Sequence, residues 1–232
     1  MRITPKTKMV VLNSPANPTG GVTGKAELEQ ICAELKKHPD IWILSDEIYS
    51  RMLYDGAEHF SPMSDPELRD RIILLDGWSK TYAMTGWRLG YAVWPDGLVD
   101  HATRLAINCH SCVNAPTQWA GKAALEGPQD DVDMMMAAFA ERRQVIVSEL
   151  NQVPGFTCTE PGGAFYAFPN IEGTGMSARD LQDNLLNETG VAIIAGTSFG
   201  AMGEGYVRFS YANSTENIRE AIRRVREYLG NR

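Results

Sequence analysis

The chain has 232 residues, with 22 Lys and Arg against 29 Asp and Glu, which gives a formal charge of −7 at pH 7. That acidic balance argues against a nucleic-acid groove or an anionic membrane surface as the main partner, since both call for a basic face. With 44% hydrophobic and 22% charged residues, the chain is too apolar for disorder and can bury a sizeable core.

In chain order, residues 8–13 are an apolar run ending in the polar turn Ser14-Pro15-Ala16-Asn17-Pro18-Thr19-Gly20, the pattern of a buried strand followed by a loop. Leu28, Ile31, Cys32 and Leu35 then recur at helical spacing, with Thr23 as the expected cap and Lys36-Lys37-His38-Pro39 as a basic, proline-terminated end. Apolar runs at 41–46, 71–76 and 89–94 predict three more strands. Continuous rather than alternating runs imply strands covered on both faces, which with the intervening helix predicts a mostly parallel α/β sheet. After residue 115 the pattern changes. An alanine-rich helix at 116–126 precedes a long one at 131–152 bearing Met135, Phe139, Val145, Ile146 and Leu150. Short strands are expected at 156–160, 164–168, 191–194 and 206–211, with a helix between them capped by Ser177 and Asp180. A final helix starts at Ser214 and stops at Gly230. This second stretch reads as an α+β unit, so the expected division is 1–130 and 131–232, joined through the long helix.

No apolar stretch has the length of a secretory leader or a membrane span. The cysteines (Cys32, Cys109, Cys112 and Cys158) do not make a disulfide framework in a chain this long. A soluble, cytoplasmic protein is the expectation. Cys109 and Cys112 have Cys-x-x-Cys spacing, but without a second pair an ordinary helix or loop position accounts for them better than a redox or zinc site.

Ligands of open α/β sheets gather at the carboxyl ends of strands. Asn17 follows the first run, Asp46 and Tyr49 the second, and Ser79, Lys80 and Arg88 the third. Taken singly, Asn17 could start a turn, Asp46 could cap a helix, Tyr49 could be scaffold, and Lys80 and Arg88 could be surface charges. In combination, an amide, a carboxylate, a phenol, a lysine and an arginine would converge on one crevice.

Three segments, Asn13-Ser14-Pro15-Ala16-Asn17-Pro18-Thr19-Gly20, Ser45-Asp46-Glu47-Ile48-Tyr49 and the stretch from Ser79-Lys80 through Trp87-Arg88-Leu89-Gly90-Tyr91, resemble the class I/II aminotransferases. These are the aspartate-aminotransferase-like branch of fold-type I enzymes dependent on pyridoxal 5'-phosphate (PLP). Pro161-Gly162-Gly163-Ala164-Phe165-Tyr166 and Val207-Arg208-Phe209-Ser210 resemble the later motifs of that family in the same order. The resemblance implies a PLP-dependent transferase fold, with a partial large domain followed by a small α+β domain. It implies that Lys80 forms a Schiff base with PLP and serves as general base, while Asp46 pairs with the pyridine nitrogen. Tyr49 and Asn17 would donate to the ring's phenolic oxygen, Arg88 and Ser79 would hold the phosphate, and Arg208 would take the substrate α-carboxylate, with Asn17 also counted among the substrate-binding residues. Gly162 and Gly163 would let backbone approach the substrate. The implied substrates are an amino acid and a 2-oxo acid, and the implied assembly is a homodimer.

Two departures stand out. Gly77 occupies a position where the family often has a phosphate-binding serine. The resemblance also begins well inside the family's pattern, so the glycine-containing phosphate loop and the aromatic that stacks on the pyridine ring are not expected in this chain. A catalytically inactive remnant, or a non-catalytic aminotransferase-like module, is therefore the alternative to an enzyme.

Overall fold

A computed structural model describes residues 3–230. It divides into two compact units, one formed by residues 3–15 and 22–132 and the other by 16–21 and 133–230. The division falls inside a helix, and the short Ala16–Gly21 segment belongs with the second unit although it follows the first strand in the chain.

Unit 1 holds a four-stranded sheet of β1 (Met9–Asn13), β2 (Trp42–Asp46), β3 (Ile72–Gly77) and β4 (Gly90–Val93), in that spatial order. β1, β2 and β3 are parallel as the continuous apolar runs imply, but β4 pairs antiparallel with β3 and is largely exposed, unlike the covered strand expected there. Helix α1 (Lys25–Lys36) buries Leu28, Cys32 and Leu35 in a core with Ile43, Leu68 and Ile72. Its cap is Gly24 rather than Thr23: the Glu27 carboxylate accepts the Gly24 N–H at 3.2 Å, while the Thr23 N–H donates to the Ser14 hydroxyl at 2.8 Å. At the other end the Arg71 guanidinium donates to the carbonyls of Leu35, His38 and Ile41 at 2.7, 2.7 and 2.9 Å. A cation thus satisfies acceptors that a helix terminus leaves open. Helix α2 (Asp96–His110) was not expected from the sequence and buries none of its residues, whereas α3 (Ala115–Glu126) lies where the alanine-rich pattern predicts it.

Helix α4 (Asp130–Leu150) carries the unit boundary between Val132 and Asp133. Unit 2 then has an antiparallel three-stranded sheet of β5 (Tyr166–Ala167), β7 (Val207–Ser210) and β6 (Ile194–Ala195), in that order, with α5 (Ala178–Asn184) and α6 (Thr215–Gly230). Ser177 caps α5 as expected, its hydroxyl accepting the Asp180 N–H at 3.1 Å. The strand expected at 156–160 is reduced to a single bridge between Thr157 and Asn170. The reason is local, because both backbone groups of Cys158 are taken by the side-chain amide of Asn151, at 2.8 and 2.9 Å. Among the described residues, no helix is long and apolar enough to cross a membrane.

Candidate active site

In unit 1 the strand register sets the site. Asn13 pairs with Asp46 and Asp46 with Leu75, so the carboxyl ends of β1, β2 and β3 lie side by side. The Asn13 amide ties two of these ends by donating to the Asp46 carbonyl at 3.1 Å. The half-buried Asp46 carboxylate accepts the Ile48 N–H at 3.3 Å, and no cation pairs with it among the described residues. Tyr49, in the turn that follows, is buried. Lys80 lies three residues beyond β3, with its Nζ 5.8 Å from the centroid of the Tyr49 ring. Amine and phenol are thus brought together by adjacent parallel strands, with the Asp46 carboxylate at the end of one of them. Ser79, next to Lys80, is half-buried.

Arg88 stands in a different setting. It has a left-handed backbone (φ 55°, ψ 47°) and its guanidinium donates to the Thr85 carbonyl at 2.7 Å. A side chain held in that sparsely populated conformation needs its surroundings to enforce it. Arg88 lines an open cleft of about 890 Å³ with Trp87, His110, Cys112, Asn114 and Thr117. Cys109 and Cys112 are free and exposed, and no metal-ligating cluster occurs among the described residues.

The glycine at position 77 has a steric cause. Gly77 pairs with Gly90 across β3 and β4, and a Cβ on it would lie 2.8 Å from the Gly90 Cα and 3.0 Å from the Leu89 carbonyl oxygen. A serine cannot enter without moving backbone.

Two groups near the site were missed in the sequence. Glu47, 5% exposed, accepts from the hydroxyls of Ser45 and Ser61 at 2.8 and 2.6 Å and pairs with His59 Nε2 at 2.7 Å. Burial alone would push its carboxyl up, but these three partners outweigh burial and hold it below the usual carboxylate value. Asp76 behaves in the opposite way. Burial raises its carboxyl despite hydrogen bonds from the Gly77 N–H at 2.6 Å and, more weakly, from Ser50 and Tyr91. The partners of Glu47 are spread over 45–61 with no periodic spacing, so only the fold reveals them.

Unit 2 brings together the remaining expected residues. Arg208 on β7 donates through Nη1 to the Asn17 amide oxygen at 2.7 Å, which turns the NH₂ end of that amide into its donor side. The Arg208 Nε is buried and has no acceptor among the described residues. The Gly163 N–H donates to the Gly20 carbonyl at 2.9 Å, so its backbone is engaged in holding the Ala16–Gly21 segment. Gly20, at φ +67°, has no room for a side chain, since a Cβ would stand 2.4 Å from the Pro161 Cβ.

A family model described as aminotransferase class I and II matches residues 2–225. The chain belongs to that family. It is 43% identical to an aspartate aminotransferase of Pyrococcus horikoshii over 232 residues, covering 98% of this chain and 58% of that protein. It is 38% identical to aromatic-amino-acid aminotransferase 2 of Thermococcus litoralis over 229 residues, with the same coverage of 98% and 58%. Its fold matches the crystal structure of an aromatic aminotransferase from Pyrococcus horikoshii with a TM-score of 0.94 at 37% identity, covering 99% of this chain and 61% of that one. The aminotransferase chain described here therefore spans 58% of the length of these curated relatives. Enzymes of this family are generally PLP-dependent, and the fold is that of PLP-dependent transferases.

Proposed function

We propose that this chain carries the cofactor chemistry and the substrate-carboxylate site of a PLP-dependent transaminase that exchanges amino and keto groups between an amino acid and a 2-oxo acid. The observation that carries the reading is the Lys80 amine 5.8 Å from the Tyr49 ring, with Asp46 at the end of the neighbouring parallel strand. The donor set suits the cofactor: a half-buried carboxylate with no cationic partner among the described residues, a primary amine and a phenol are what a pyridinium, an aldehyde and a phenolic oxygen require. When bound, PLP supplies the aldehyde that Lys80 engages and the ring that accepts electrons from the substrate α-carbon.

Asp46 would pair with the pyridine nitrogen and hold a proton there. Tyr49 would donate from its phenol to the ring oxygen. Lys80 would act as the general base that takes the proton from the substrate α-carbon and returns it. Ser79 and Arg88 would hold the phosphate, Arg88 by exchanging the Thr85 carbonyl for it. Arg208, whose buried Nε has no acceptor among the described residues, binds the substrate α-carboxylate, and Asn17 donates its amide N–H to the same ligand. Units 1 and 2 correspond in this reading to the large, cofactor-binding domain and the small domain. We place the protein in cytoplasmic amino acid metabolism, which the four free cysteines favour. We also assign it a homodimer, favoured by exposed Leu105, Ile107 and Trp119.

The test is spectroscopic. PLP added to the purified protein gives a visible absorption band that Lys80→Ala abolishes, and amino acids convert that band in a single turnover. A wild-type protein without a Lys80-dependent band overturns the reading.

A further inference from the structure

The Arg208 guanidinium carbon stands 4.5 Å from the centroid of the Tyr166 ring and 5.0 Å from that of Phe199. No carboxylate pairs with it among the described residues, so its charge is held by aromatic faces and by one neutral amide. We propose that Tyr166 and Phe199 are positioning residues for Arg208, forming an aromatic slot that keeps the guanidinium in place while leaving its N–H edge and its full charge for a carboxylate ligand. The inference rests on the reading of Arg208 as the substrate-carboxylate site.

The physical logic is that most ways of fixing an arginine consume its binding capacity. A carboxylate partner would cancel the charge, and carbonyl partners would occupy the N–H groups, as they do for Arg71. A ring face attracts the cation through its quadrupole and uses no N–H. The slot is itself built from packed parts. Tyr166 is buried on β5, and its ring lies 4.7 Å from that of Phe165. Phe199 is 41% exposed but is braced edge-on by Phe168 at 6.5 Å, and Phe168 stacks on Tyr206 at 5.2 Å with an interplanar angle of 6°. The short turn Gly196–Phe199 that presents Phe199 is set by contact between two glycines, because a Cβ on Gly196 would stand 2.1 Å from the Gly203 carbonyl oxygen.

The experiment uses protein labelled with ¹⁵N-arginine. The Arg208 Nε–H resonance is assigned by its loss in Arg208→Lys and titrated with pyruvate. We expect pyruvate to shift that resonance in the wild type. Phe199→Leu and Phe199→Met should each weaken pyruvate binding about tenfold, and Phe199→Trp, which keeps a ring, should stay within about twofold. In the PLP-loaded protein the same two non-aromatic variants should raise KM for the 2-oxo acid by a similar factor, with kcat within about twofold. Wild-type affinity in both Phe199→Leu and Phe199→Met overturns the slot, as does a Phe199→Trp variant as weak as they are, or an Arg208 resonance that pyruvate leaves unmoved. Ring-dependent pyruvate binding without turnover sustains the slot while removing the transaminase reading. Turnover with unchanged KM in Phe199→Leu removes the slot alone.

Discussion

In unit 2, α4, α5 and α6 each contribute side chains with no exposure, among them Leu150, Leu181 and Val225, and Arg208 is held by rings that are themselves braced. In unit 1, α2 buries nothing, and Met9, Val11, Leu105, Ile107 and Trp119 stand exposed around a sheet whose site residues sit on the turns after its strands. Each unit thus has a packed interior, unit 1 around Leu35, Ile43, Leu68 and Ile72 and unit 2 around Leu150, Leu181 and Val225, but unit 1 also carries a helix that buries none of its residues. The difference teaches that Arg208 is seated among aromatic rings, whereas the Lys80 amine and Asp46 carboxylate of unit 1 are set by strand register.

Four substitutions break or sharpen this contrast, measured by urea unfolding. Leu150→Ala, in a fully buried position of unit 2, should cost about 2–5 kcal/mol, the usual range for emptying a packed site. A cost under about 1 kcal/mol would mean that the interior of unit 2 is not close-packed. Glu47→Gln should cost about 2–3 kcal/mol, because the buried carboxylate that accepts from Ser45 and Ser61 and pairs with His59 is replaced by an amide whose NH₂ end cannot accept. Its pH dependence is specific. The folded carboxyl titrates below its unfolded value, so the stabilisation is complete above the unfolded pKa of about 4.3 and is lost as pH falls through the folded pKa. Wild type should lose stability on acidification from pH 5 towards pH 3, and Glu47→Gln should lose less; parallel curves would remove Glu47 from the acid limb.

Gly77→Ser should cost about 1–3 kcal/mol through overpacking against Gly90, and should weaken rather than improve PLP retention despite supplying a hydroxyl. Tighter PLP binding would show that β3 and β4 can separate without loss. The smallest effect is expected for Leu105→Ser on α2, within about 0.5 kcal/mol of wild type in dilute protein. If the exposed face of unit 1 mediates association, light scattering should show the same variant shifted towards monomer; a large loss in dilute monomer would instead make α2 part of the core.

Much of the fold, and the placing of the candidate residues at strand ends, was legible in the chain because the signals were local. The strand runs before Asn13, Asp46 and Gly77, the helical spacing of Leu28, Cys32 and Leu35, and the Ser177 cap each depend on residues within one or two turns. The expected chemistry at strand ends followed from the same runs, since a parallel sheet aligns its carboxyl ends whatever the loops between them contain. Helix α2 was missed although Leu98, Ala102, Leu105 and Cys109 recur at helical spacing; the stripe is in the chain, but none of the helix's residues is buried. The exposed, antiparallel course of β4 escaped because an apolar run does not state its direction.

The sequence by itself determined which residue types stand after each strand and which family the pattern belongs to. Only the tertiary structure decided that Ala16–Gly21 joins the second unit, that Asn17 meets Arg208 across 191 positions, that Gly77 must lack a side chain, and that Glu47 gathers His59 and Ser61. Propensity and periodicity act over a few residues, whereas steric exclusion, charge pairing and ring contacts act between surfaces that meet only after the chain has folded.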